Sequence, residues 1–187
     1  MTTVQKTRGY IRSVSGKKLW PLSPKVADVS VSDIAHALGY KCRFTGHTKF
    51  FYSVAQHSVY VSQMVPREIA LPALFHDASE YMLPDVSTPV KWQLKGFKEI
   101  EEGVLDAVFK KLGLMAYRED TSVMAEIKKA DLKLRAIEGR DLMPQDETGY
   151  STEEPDPYFF IEPWGIEQGR EKFLARYEQI LEALAGY

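Results

Sequence analysis

The stretch SVMAEIKKADLKLRAIEGRDL, residues 122–142, sets the fold class. Ala125, Ile127, Ala130, Leu132, Leu134 and Ile137 recur through it among charged residues, which predicts a helix from about Ser122 to Leu142. Asp131 sits in the middle of a partly apolar run, Lys128-Lys129-Ala130-Asp131-Leu132-Lys133-Leu134. A carboxylate there either pairs with Lys128 or Arg135 at helical spacing or serves as a ligand. Glu138 and Asp141 follow on the same helix and are expected to face solvent.

Towards the C-terminus, Pro144 to Pro163 is acidic, polar and proline-bearing, long for a connection inside a domain. Its Gln145 to Asp156 part gates a site, binds a partner or is mobile. Ile161-Glu162-Pro163-Trp164 reads as a loop anchored to the core by Trp164. Gln168 to Leu184 then closes the chain as an amphipathic helix with Phe173, Leu174, Tyr177, Ile180, Leu181 and Leu184 on its apolar face.

Towards the N-terminus, a helix is expected over about Phe97 to Leu112, preceded by a loop from Leu83 to Pro89. A further helix is expected from Arg67 to about Glu80, carrying Ile69, Ala70, Ala73, Leu74 and Asp77. Another is expected over Phe51 to Met64, where Val54, Ser58, Val61 and Val65 recur at spacings of three and four. Ser32 is expected to cap a short helix, Asp33 to Leu38, ending near Gly39. Tyr10 to Leu22 reads as two short strands around Ser15-Gly16. Five or six helices with little strand predict an all-α domain with a small N-terminal β-hairpin, residues 1–187 forming one unit.

Composition narrows the class. The chain has 187 residues, 44% of them hydrophobic and 27% charged, as in a soluble globular domain. A net charge of -2 gives no electrostatic basis for non-specific nucleic-acid binding. Cys42 is the only cysteine, so no internal disulfide forms, and it reads as a small buried hydrophobe. No apolar run has signal-peptide or membrane-spanning character, so a cytoplasmic protein without membrane contact is expected.

The chemistry concentrates in Leu74-Phe75-His76-Asp77-Ala78-Ser79-Glu80. Adjacent histidine and aspartate in an apolar helix are costly to bury without partners. A divalent cation accepts the imidazole lone pair and neutralises the carboxylate. Further ligands have to come from other helices, and His57 and Asp131, each polar and mid-helix, are the candidates. Two histidines and two carboxylates suit one divalent transition metal, Mn, Co, Zn, Fe or Ni, better than Ca.

The order of these residues resembles the HD superfamily of metal-dependent phosphohydrolases. Ser53-Val54-Ala55-Gln56-His57-Ser58 is similar to the segment around the first ligand in its bacterial 5'-deoxynucleotidases. His76-Asp77-Ala78-Ser79-Glu80, then Asp85, then Thr88-Pro89-Val90-Lys91, resembles their second block, and the likeness covers about residues 43–138. The resemblance implies an HD-domain helical bundle. It implies that His57, His76, Asp77 and Asp131 hold the metal, that Glu80 is a catalytic carboxylate beside the metal-bound water, and that Asp85 is needed for activity. It implies a phosphate contact for Arg43, a catalytic as well as a binding role, with Lys91 as a second phosphate contact. Phe44 follows Arg43 where those enzymes place tryptophan. An aromatic ring is kept, while the choice between deoxyribose and ribose stays open. His47, in Gly46-His47-Thr48, either touches substrate or fixes its loop.

These readings give one expectation: a metal-dependent phosphoric monoester hydrolase that converts a deoxynucleoside 5'-monophosphate to deoxynucleoside and phosphate. The metal lowers the pKa of water from 15.7 towards roughly 7 and polarises the ester. Glu80 orients the water or moves protons, and Arg43 offers a planar fork to phosphate. One alternative is a dNTP triphosphohydrolase of the HD type, disfavoured by the modest number of basic residues near the motif. Another is a non-catalytic nucleotide-binding regulatory module, against which Glu80 and Arg43 argue. The partner expected is a small nucleotide, and HD proteins of this size often pair, which allows a homodimer.

Overall fold

The computed structural model describes residues 9–144 and 153–186. Within them are eight α-helices and a single two-stranded sheet, so the chain is all-α with a small hairpin. Strand β1 (Ile11–Arg12) pairs antiparallel with β2 (Lys18–Leu19), Ile11 opposite Leu19. Gly16, at φ 84°, makes the turn that Ser15-Gly16 promised. Buried Asp33 accepts hydrogen bonds from the Ser15 amide at 3.2 Å and hydroxyl at 2.7 Å, which ties the hairpin to the first helix.

That helix, α1, spans Val31–Gly39 and begins before the expected Ser32 cap. Ile34 N–H already donates to the Ser30 carbonyl at 3.0 Å, so Ser32 lies inside the first turn, its hydroxyl 3.0 Å from that of Ser30. Helix α2 (Val54–Gln63) opens on Ser53, whose side chain accepts from Gln56 N–H at 3.1 Å.

The single helix expected from Arg67 to Glu80 is not formed. A short 3-10 turn, Arg67–Ile69, leads into α3 (Ala70–Leu74), and a second 3-10 turn covers Ala78–Tyr81. Amides of Phe75, His76, Ala78, Glu80 and Met82 each donate to the carbonyl three residues earlier, not four. The backbone is therefore wound to about three residues per turn through the histidine and aspartate, which brings residues three apart into line.

After a loop, α4 (Thr88–Lys91) takes Pro89 in its first turn, where the missing N–H costs nothing. Helix α5 (Phe97–Leu112) runs between left-handed Gly96 and Gly113. Then come α6 (Met115–Glu119), α7 (Thr121–Leu142), capped by the Asp120 carboxylate, and α8 (Ile166–Ala185). The reading of Gln145 to Asp156 falls mostly outside the described residues. At the described end, Asp156 lies 3.6 Å from Lys133 Nζ, and its carbonyl accepts from Arg140 at 2.7 Å.

Two apolar clusters share α2. One gathers Phe75, Phe109 and Phe173 with Ile34 and Leu38; the other joins Val61 to Ile127, Leu134 and Ile137 of α7. Trp164 packs against both, with its ring 5.1 Å from that of Tyr60, which fits the anchoring role read from its sequence. Because α2 lies between the clusters, Val54 to Ser62 are all buried, polar residues included. Every polar side chain on α2 therefore has to meet a partner inside the protein.

Candidate metal centre

His57 lies one turn into α2, completely buried. His76 and Asp77 sit on the tight segment after α3, and Asp131 is midway along α7. The packing of α2 against α3 and α7 brings the four together. His57 Nε2 is 3.3 Å from His76 Nε2, 3.3 Å from Asp131 Oδ1 and 3.5 Å from Asp77 Oδ2. His76 Nε2 is 3.4 Å from the same Asp77 oxygen.

The protonation of both rings follows from their far sides. His76 Nδ1 is 2.8 Å from the Ala73 carbonyl, which can only accept, so Nδ1 carries the hydrogen. His57 Nδ1 is 2.6 Å from Glu138 Oε1. Burial raises the Glu138 carboxyl, but Arg43 and His57 outweigh it and bring it down to about 2, so it is an anion and accepts. With the Nδ1 hydrogens so placed, the Nε2 of each ring is left for the site: that of His57 faces His76, Asp131 and Asp77, and that of His76 faces His57 and Asp77. Around His57 Nε2, the His76 nitrogen and one oxygen each of Asp131 and Asp77 lie at 3.3–3.5 Å, acceptors that repel one another unless a positive charge, a metal ion or a proton on His57, lies among them.

The donor set fits a transition metal. For donors about 2.1 Å from a cation, tetrahedral separations are about 3.4 Å. His57, His76 and Asp131 each bring one donor within 4.8 Å of the other two; Asp77 is not in that group, and its oxygen that faces both rings is shared with Arg43 Nη1 at 3.3 Å. The same field acts on protons. Burial and Arg43 disfavour a charged His57, yet Glu138 and Asp131 prevail and push its pKa up to about 9. Burial acts against ionised Asp131 too, but His57, His76 and Lys128 hold it well below the usual carboxylate range. The ion pair anticipated for Asp131 is formed, Oδ2 accepting from Lys128 Nζ at 2.5 Å, and Oδ1 faces His57.

Of the remaining predicted residues, Glu80, Asp85 and Arg43 lie beside this cluster, while among the described residues no contact joins His47 or Lys91 to it. Glu80, 9% exposed, is in line with Asp77 on the 3-10 turn, and its Oε2 is buried without a hydrogen-bond partner. Burial, with the charges of Asp77 and Asp85, pushes its pKa up to about 8. Asp85 is half-buried and feels Arg43, Asp77 and His57, so it faces the same cluster. Arg43 is buried between two carboxylates, with Nη1 on Asp77 and Nη2 on Glu138, both at 3.3 Å. Phe44 lies 5.6 Å from its guanidinium and has a positive φ of 53°. His47 is exposed, and the Lys91 ammonium is on Glu101 at 2.7 Å.

Two residues were missed. Glu138, expected in solvent, is fully buried and joined to His57, Tyr52 and Arg43. A sequence signal existed: Glu138 is four residues after Leu134 and seven after Asp131, hence on their face of α7. Lys41 donates to the carbonyls of Glu80 and, at 2.5 Å, Leu83, and so clamps the turn that carries Glu80. Asp141, the other acid expected in solvent, is partly buried and accepts from Arg140 at 2.6 Å and from the Ile161 amide at 2.9 Å. Cys42 is only half-buried.

The chain is 40% identical over 133 residues to the uncharacterized protein YfdR of Escherichia coli strain K12, covering 71% of this chain and 72% of YfdR. This chain belongs to the YfdR family. Within it, the uncharacterized protein RCAP_rcc00048 of Rhodobacter capsulatus is 32% identical over 200 residues, covering 96% of this chain and 99% of that relative. No family model matches the chain. Among the described residues of this YfdR-family protein, no helix is long and apolar enough to cross a membrane.

Proposed function

We propose that this protein is a metal-dependent phosphohydrolase of the HD type that releases orthophosphate from a deoxynucleoside 5'-monophosphate. The observation that carries the reading is the gathering of His76, Asp131 and Asp77 around His57 Nε2 at 3.3–3.5 Å, with Glu80, a buried carboxyl of the same segment as His76 and Asp77, keeping an oxygen unpartnered. The donor set is N/O, as a divalent transition metal requires.

His57, His76, Asp77 and Asp131 are the residues that would hold the ion. When bound, it supplies a lowered pKa for water and neutralisation of charge on the phosphoryl group. Glu80 then holds or moves a proton at Oε2, the atom with no competing partner. Asp85 keeps negative charge beside Glu80 and so favours its protonated form. Arg43 keeps a positive charge at Asp77, on the side where a phosphate dianion needs one. Phe44, packed beside that guanidinium, offers an aromatic wall for a sugar or base.

The test is phosphate release from dNMPs, NMPs and dNTPs by metal-stripped protein resupplied with Mn, Co, Zn or Mg, with His76→Ala as control. The reading expects metal-dependent orthophosphate from dNMPs and none from the variant. Tripolyphosphate from a dNTP with silence on monophosphates, or silence on the whole panel, would overturn it.

A further inference from the structure

Glu138 is a carboxylate with 0% exposure and with both oxygens engaged. Oε1 accepts from His57 Nδ1 at 2.6 Å and from Tyr52 Oη at 2.8 Å, and Oε2 accepts from Arg43 Nη2 at 3.3 Å. The contacts reach 81, 86 and 95 residues along the chain. A buried anion with this many donors is costly to assemble, and removing one partner of such a group costs more than the pair contributes. Core filling alone does not require it.

We infer that Glu138 is a positioning residue, which fixes the His57 ring with its Nε2 lone pair towards Asp131, Asp77 and His76 and holds Arg43 against Asp77. This rests on the metal-centre reading. The opposite neutral tautomer would set a bare Nδ1 against a carboxylate oxygen at 2.6 Å in a site sealed from water, two acceptors with no hydrogen between them. Glu138 Oε1 also accepts from Tyr52 and Oε2 from Arg43, so both oxygens act as acceptors and that arrangement is disfavoured. Asp131 and Glu138 stand seven residues apart on α7, about two helical turns. One rigid helix therefore supplies a direct donor and also orients a donor on α2. Arg43 closes the circuit, because its other nitrogen is on Asp77.

The experiment measures Zn²⁺ affinity of the full-length, metal-stripped protein by competition with a chromophoric chelator, for wild type, Glu138→Gln and Tyr52→Phe. A glutamine has one oxygen, which cannot serve both His57 and Arg43. Glu138→Gln is expected to weaken Zn²⁺ binding about 10–100-fold, while Tyr52→Phe, which leaves Glu138 on His57, stays within about threefold. A folded Glu138→Gln protein with wild-type affinity would overturn the inference, as would equal losses in both variants. If Glu138→Gln does not fold, ¹⁵N-edited NMR of Zn²⁺-loaded wild type decides. A slowly exchanging proton on His57 Nδ1 supports the inference, and one on Nε2 overturns it. Wild type that binds none of Zn, Mn and Co sinks the inference and the metal centre together. Wild type that binds Zn²⁺ but releases no phosphate sinks only the proposed reaction, and the variant affinities still decide the role of Glu138.

Discussion

The Nε2 atoms of His57 and His76 face each other at 3.3 Å while each Nδ1 is turned to an acceptor, Glu138 in one case and the Ala73 carbonyl in the other. Two rings so oriented are held together by a positive charge at Nε2, which a proton on His57 or a bound metal ion supplies. Metal should therefore stabilise the fold by mass action, about 2.7 kcal/mol at a free concentration one hundred times Kd. Thermal melts of metal-stripped protein with added Zn²⁺ or Mn²⁺ should rise in wild type and stay flat in His76→Ala. An equal rise in both would place the ion elsewhere.

Glu80 touches none of the proposed donors by hydrogen bond, and its Oε2 is free within the protein. Glu80→Gln should bind metal as wild type does, and lose about 10²–10⁴-fold in turnover. Parallel metal titration and phosphate-release assays check this, and a matched loss of metal would assign Glu80 to the ligand set instead.

Lys41 is a half-buried ammonium whose pKa burial lowers, against Glu80 and Asp85, which raise it. Lys41→Met keeps the apolar stem and strips the donor from the Glu80 and Leu83 carbonyls. Two buried carbonyls without a partner cost about 1–3 kcal/mol each. Chemical denaturation should show that loss, and turnover should fall more than metal affinity, because Lys41 holds the turn at Glu80 and Leu83, past the donors His76 and Asp77.

Gly169 of α8 crosses the start of α2 so closely that an added Cβ would lie 2.9 Å from Ser53 Oγ. Ser53 is the cap of the helix that carries His57, so the strain would pass straight to the site. Gly169→Ala should destabilise by about 1–3 kcal/mol, the usual cost of overpacking. Unchanged denaturation would show that Ser53 can move aside freely.

The Asp120 carboxylate caps α7, and bonds from the Ser122 hydroxyl and amide and the Val123 amide hold its pKa below the ordinary value. A depressed carboxyl stabilises fully above its unfolded pKa, about 3.9, and loses that effect as pH falls through the folded value. Asn also caps but does not titrate there. The melting-temperature advantage of wild type over Asp120→Asn should be constant above about pH 5 and shrink below about pH 4. An advantage that persists at low pH would remove the carboxylate charge as its source.

Local pattern determined the helical class, the hairpin turn at Ser15-Gly16, and the spans of α5, α7 and α8 to within a few residues, since these follow from near-neighbour periodicity and turn chemistry. It also singled out His57, His76, Asp77 and Asp131, because polar residues inside helix-forming apolar runs are conspicuous. It did not show that the chain tightens to 3-10 winding at Phe75–Tyr81, since α and 3-10 turns draw on nearly the same residue spacing and only the hydrogen-bond partners distinguish them. Nor did it show what Glu138 meets: spacing puts it on the face of Leu134 and Asp131, but not against a histidine 81 residues away. Its partners were decided by the packing of α7 against α2, a long-range event that brings Tyr52, His57 and Arg43 to one carboxylate.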